Sequence, residues 1–172
     1  MSRPFIVTAA LPQNVQNWAD DLRREHYPAE RNHLHAHVTL FHSFAPSLLD
    51  ELKVYLPSVC REFAPPEAYI SGLLDLGTGT AIALQSEALL HLRSLIAEHF
   101  HGSLTAQDLY EPRPHITIQN KVSKTAARAL QAELAPTIEP RAFAFPALEL
   151  HLYQDGPWQE VKRCSFRGRE RL

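Results

Sequence analysis

The sequence predicts an α+β domain. Three observations carry that expectation: short apolar runs with strand-like alternation, helical stretches introduced by Ser or Asn, and Gly-containing turns that fold neighbouring strands back as hairpins. At 172 residues, 45% hydrophobic and 21% charged, the chain fits one soluble domain with a sizeable core. The first strand spans about Phe5 to Leu11, and Asn14 then caps a helix over Val15 to Glu25, closed by Tyr27-Pro28. Period-two alternation marks a strand from Leu34 to Phe44. Ser47, with Asp50 three residues on, opens a helix through Leu48, Leu49, Leu52 and Leu56.

Tyr69 to Leu76 and Ala81 to Gln85 form a hairpin around Gly77-Thr78-Gly79-Thr80. That segment lacks the further glycine and the Lys-Ser/Thr ending of a phosphate loop, so it reads as a turn. Ser86 precedes a helix with Leu89, Leu92, Leu95 and Ile96 at helical spacing, ending near Phe100. A loop from Gly102 to Pro114 leads into a strand at His115 to Asn120. Ser123 caps Lys124 to Leu134, Pro136 stops that helix, and Arg141 to Leu152 with Trp158 to Phe166 close the chain as a hairpin turning at Asp155-Gly156-Pro157. The two halves thus share an order of strand, helix and hairpin.

Both halves also carry the same tetrapeptide on a strand: His37-Val38-Thr39-Leu40 and His115-Ile116-Thr117-Ile118. Alternate strand side chains share a face, so each His lies with its Thr while the intervening apolar residues face a core. Two imidazoles and two hydroxyls suit acid/base chemistry at a phosphate, because histidine's pKa of about 6.5 keeps both protonation forms accessible near neutrality. One such tetrapeptide arises by chance in roughly one chain in ten of this composition. A pair, one per half, is a signal.

The net charge of −2 argues against bulk electrostatic gripping of nucleic acid and favours a small or terminal phosphate substrate. The basic stretch Val161 to Leu172 reads as a solvated tail. Cys60 and Cys164 are too few for a disulfide or zinc scaffold and read as free thiols. The short N-terminal apolar run is a strand rather than a signal peptide, no stretch suits a membrane span, and a cytoplasmic location is expected.

With the flanks Ala36-His37-Val38-Thr39-Leu40-Phe41-His42 and Pro114-His115-Ile116-Thr117-Ile118-Gln119-Asn120-Lys121, the chain resembles the 2H phosphoesterase superfamily, which includes bacterial 2'-5' RNA ligase-like proteins. The resemblance spans residues 1–172 and implies a single domain of two intertwined lobes. Two pseudo-symmetric, mainly antiparallel sheets would flank a cleft, with helices outside. It also implies metal-free, cofactor-free hydrolysis of cyclic phosphodiesters such as RNA 2',3'-cyclic ends, or the reverse formation of 2'-5' linkages. His37 and His115 would then be the acid/base pair, and Thr39 and Thr117 would bind the non-bridging oxygens. Many relatives carry an arginine just after a motif. Here Gln119-Asn120-Lys121 follows, leaving Arg113 or Lys121 to supply that charge.

Other readings remain open on the sequence. Alternate spacing of His33, His35 and His37 on a strand face is a possible zinc set. His42 falls on the apolar-facing parity of its strand. Tyr110, Tyr153 and Trp158 are candidates to stack a base. A nucleotide-binding module without turnover is the alternative to an enzyme, and a monomer without an obligate protein partner is expected.

Overall fold

A computed structural model describes residues 3–172. In chain order its regular elements are β1 (Phe5–Ala9), α1 (Gln13–His26), β2 (Val38–Phe44), α2 (Leu49–Glu62), β3 (Glu67–Asp75) and β4 (Thr80–Gln85). Then come α3 (Glu87–His99), β5 (His115–Gln119), α4 (Lys124–Leu134), β6 (Arg141–Ala144), β7 (Ala147–Tyr153) and β8 (Trp158–Ser165). The strands form two four-stranded sheets, ordered β2-β1-β7-β8 and β5-β4-β3-β6. All neighbouring pairs are antiparallel. Both strands that carry the tetrapeptides are edge strands, and those two edges approach each other.

The run expected as one strand from Arg141 to Leu152 is two. β6 pairs with β3, the chain passes through Phe145 and Pro146, and β7 pairs with β1 in the other sheet. Pro146 has no N–H to give to a ladder, and Phe145 is fully buried at the crossing, its own N–H bonding to the Pro66 carbonyl. One sheet is therefore assembled from both ends of the chain, and the other from its middle.

Two caps hold as expected: Ser86 Oγ accepts from Leu89 N, and Ser123 Oγ accepts from Ala126 N, each at 3.0 Å. Two do not. Pro12 occupies the cap position of α1 while Asn14 bonds Val15 N inside the first turn, and α2 is entered through a 3₁₀ turn at Pro46–Leu48, with no cap from Ser47. Proline's preset backbone angle starts each helix without help from a side chain. In the β3–β4 turn a Cβ on Gly79 would lie 2.2 Å from the Gln119 carbonyl oxygen, so only glycine lets the turn close on the end of β5.

The core is shared by both sheets and includes Val7, Leu40, Phe41, Phe44, Leu52, Ile82, Leu92, Ile116 and Phe145. Each fully buried side chain of this kind stabilises by about 1.5–3 kcal/mol. Cys60 on α2 and Cys164 on β8, distant in sequence, are hydrogen-bonded neighbours and unbridged. Among the described residues no helix is long and apolar enough to cross a membrane.

Candidate active site

His37 immediately precedes β2 and His115 opens β5, so each ring stands at the start of an edge strand. The strand expected from Leu34 begins only at Val38. His33, His35 and His37 therefore lie on a loop and do not share a strand face. His35 is exposed and faces Asp20 at 3.4 Å instead. Among the described residues no three His, Cys, Asp or Glu side chains converge on a common point.

The two motif histidines are held in the same way. His37 Nδ1 lies 2.8 Å from the carbonyl oxygen of His35, and His115 Nδ1 lies 2.7 Å from that of Arg113. A carbonyl only accepts, so each Nδ1 carries the proton and donates. Each neutral ring then has its Nε2 lone pair free, and among the described residues neither Nε2 has a hydrogen-bond partner. Both rings are half-buried. Burial pushes the His37 pKa down to about 4, and the charges of Arg23, His151 and His115 act in the same direction, outweighing the bond to His35.

Strand register spreads the rest of the site across each sheet. Thr39 on β2 lies beside Thr8 on β1, which lies beside Glu149 on β7, which lies beside Arg163 on β8. The equivalent row from Thr117 is Ala81 and Leu74, and from His115 it is Ala83 and Gly72. One wall is thus polar and the other nearly bare. On the polar wall Thr8 Oγ1 is 3.0 Å from His151 Nε2, and the Trp158 ring sits 4.7 Å from His37 and 5.3 Å from His151. Burial also lowers the His151 pKa. Burial, followed by its contact with Glu160, raises the Glu149 pKa to about 7. A cavity of about 900 Å³ opens here between this wall and α1, lined by Thr8, Gln16, His37, Glu149, His151 and Trp158. A cavity of similar size, about 910 Å³ beside Tyr69 and Arg141, touches neither motif.

The structure sorts the expected contributors. Thr39 and Thr117 are half-buried on their edge strands. Arg113 is exposed, two residues before His115. Lys121 follows the end of β5 in a turn where Val122 N bonds the Thr78 carbonyl, at the opposite end of the strand from His115. The extended rise of β5 carries the chain away from His115 before Lys121 is reached. His42 is corrected: Leu40 and Phe41 are both buried across a register shift, so His42 turns outward and its Nδ1 meets Asp108 at 3.1 Å. Of the three aromatic candidates, Trp158 packs on a motif histidine, whereas Tyr110 is 77% exposed.

Sequence reasoning missed His151, Thr8 and Arg23. The alternation Glu149-Leu150-His151-Leu152 contained the first, placing two polar residues on one face. Val15, Ala19 and Arg23 recur at helical spacing and are all buried, which marks Arg23 as a charge on an apolar stripe.

Two four-stranded antiparallel sheets whose facing edges each carry a His-x-Thr tetrapeptide have the architecture of the 2H phosphoesterase fold. A sequence model of the 2'-5' RNA ligase superfamily matches residues 11–157, and the chain belongs to that superfamily. Among solved structures it is similar to TT0787 of Thermus thermophilus, with TM-score 0.69 and 18% identity over 97% of this chain and 100% of that one. It is also similar to E. coli LigT complexed with NADP+, with TM-score 0.61 and 16% identity over 97% and 99% of the two chains. The LigT complex with 3'-AMP gives TM-score 0.61 and 16% identity over 96% and 99%. No curated protein matches the chain by sequence.

Proposed function

We propose that this chain is a phosphoesterase that opens, or reversibly forms, cyclic or 2'-5' phosphodiesters of nucleotides or RNA ends without a metal, with His37 and His115 as its acid/base pair. The matched tethering of both Nδ1 atoms carries this reading, because it presents two free Nε2 atoms from adjoining strand edges. His37, held neutral, takes the proton from the attacking water. As the water oxygen bonds to phosphorus, the bond to the leaving ribose oxygen breaks, and the protonated Nε2 of His115 gives its proton to that oxygen. A phosphate monoester and a free hydroxyl remain, and solvent restores both rings.

In this reading Thr39 and Thr117 donate to the non-bridging oxygens, Arg113 supplies positive charge at the mouth, and Lys121 takes no part. The nucleoside occupies the cavity beside His37 and Trp158. Nucleotide complexes of LigT with 3'-AMP and with ATP support a nucleotide ligand. Both sheets act as one unit in one monomer, since each contributes one motif.

The test is incubation with a panel of 2',3'-cyclic nucleotides and short cyclic-ended RNAs, with and without a chelator, with products resolved by chromatography. Turnover that survives chelation is expected. Loss on chelation with recovery on adding zinc or manganese defeats the metal-free mechanism, and tight binding without any turnover would reduce the chain to a binding module.

A further inference from the structure

Arg23 is 3% exposed, although arginine is seldom fully buried without a carboxylate partner. Its Nη1 donates to the backbone carbonyl of Thr117 at 2.7 Å, its Nε donates to Asn32 Oδ1 at 3.2 Å, and its guanidinium carbon lies 4.2 Å from the Tyr27 ring centroid. Thr117 belongs to the second motif, and Asn32 to the loop that delivers His37 of the first. One side chain therefore joins the two segments that must be in register.

A counterpart stands against the other motif strand. Arg93 on α3, 5% exposed, donates from Nε to the carbonyl of Leu40 in the first motif strand and lies over the Phe41 ring. Each motif strand thus has an outer-edge carbonyl occupied by a buried guanidinium. Arg93 also donates from Nη2 to the carbonyl of Asp108, in the loop that leads to His115, so each guanidinium ties one motif strand to the approach of the other, and Arg23 alone of the two also faces His37.

Building on the phosphoesterase reading, we infer that Arg23 is a positioning residue for catalysis, fixing Thr117 against the His37 loop so that both motifs address one phosphate. Two alternatives fit less well. A side chain meant only to fill space would be apolar here, because burying a charge costs several kcal/mol before its hydrogen bonds offset it. A substrate contact would need an exposed guanidinium, whereas Arg23 is buried with its Nε and Nη1 committed to Asn32 and Thr117. Its charge has a second consequence, as it is among the groups that hold His37 neutral. The other charged or titratable groups facing His37 are His151 from β7 and His115 from β5, with Asp20 from α1, His33 and His35 from the preceding loop, Glu149 from β7, and Glu160 and Arg163 from β8 along the cavity wall.

The experiment compares Arg23→Met, which keeps the bulk but loses donors and charge, with Arg23→Lys, which keeps the charge but loses the fork. Circular dichroism checks folding, steady-state kinetics on a 2',3'-cyclic nucleotide separates kcat from KM, and NMR follows the His37 titration without substrate. Folded Arg23→Met should lose at least about tenfold in kcat with KM changed less than about threefold, as expected for misplaced groups. Its His37 midpoint should move upward. Arg23→Lys should lose kcat while the His37 midpoint stays in place, which keeps the inference testable if the Met variant does not fold. Native kcat in either folded variant overturns the inference, as does an unmoved His37 midpoint in Arg23→Met. If the native protein turns over no phosphodiester, the catalytic reading fails by itself, and amide chemical-shift changes at both Thr117 and His37 in a folded Arg23 variant still decide whether Arg23 joins the two motifs.

Discussion

His37 and Trp158 pack ring against ring, their centroids 4.7 Å apart and tilted by 56°, although one stands before the first motif strand and the other opens the last strand. The indole removes water from the imidazole, and desolvation is the main reason that His37 is held down to about 4. Trp158→Ala should therefore let the His37 midpoint rise from about 4 toward the ordinary 6.5, while Trp158→Phe restores most of the depression. Two-dimensional NMR of the imidazole signals across a pH series reads this directly.

Each motif histidine should be indispensable and neither redundant. His37→Ala and His115→Ala are expected to lower kcat by about 10²–10⁴-fold each, and the double variant should be little worse than either. Thr39→Ala and Thr117→Ala should cost less, about 1–3 kcal/mol of transition-state stabilisation, as for one lost hydrogen bond to a charged group. Steady-state kinetics on a cyclic nucleotide ranks all five proteins. Native turnover by His37→Ala would remove the acid/base assignment.

Acid should weaken the fold in a defined window. His37 and His151 both have folded pKa values below the unfolded value of 6.5, so the unfolded chain binds protons more readily between those limits. Their stabilising contribution is fully present above about 6.5, and that of His37 is lost as pH falls toward about 4. Urea midpoints measured at neutral pH and near pH 4.5 should show the loss, and His37→Phe should make the curve flatter over that interval.

Asp108 should matter to stability out of proportion to its position in a loop. Its side chain is 1% exposed and accepts from His42 N, Ser43 N and His42 Nδ1 at 2.9 to 3.1 Å, pinning β2 just beyond the first motif. Burial alone would raise its pKa, yet these donors hold it below the ordinary carboxylate range, so this anchor persists where the histidine contribution has gone. Asp108→Ala leaves those N–H groups without their acceptor at about 1–3 kcal/mol each, and Asp108→Asn should cost less. Thermal unfolding of the three proteins gives the order.

What was legible in the sequence was local. The β3–β4 hairpin, the Ser86 and Ser123 caps and the alternation of half-buried His and Thr with buried apolar neighbours all follow from a few adjacent residues. The failures share a different cause. Arg141 to Leu152 reads as one strand because its apolar pattern continues, and only Pro146 announces that it changes sheets. Arg23 and His151 acquire their neighbours from α1 crossing to β5 and from β7 returning beside β1, contacts that no short window of sequence contains. Lys121 looked well placed by number alone, but the whole length of extended β5 separates it from His115.

The passage of the chain through Phe145 and Pro146 also sets an order of events during synthesis. The sheet built from β3, β4, β5 and β6 needs nothing beyond Ala144 and can form while the remainder is still being translated. β1 must wait, because Phe5 pairs with Leu152 and Ala9 with Leu148. Until β7 emerges from the ribosome, the apolar β1–β2 ribbon has an unpaired edge, the kind of surface that recruits other strands. Closing a loop over nearly the whole chain costs entropy before the β1–β7 contacts offset it, so the expected order places this pairing late in folding.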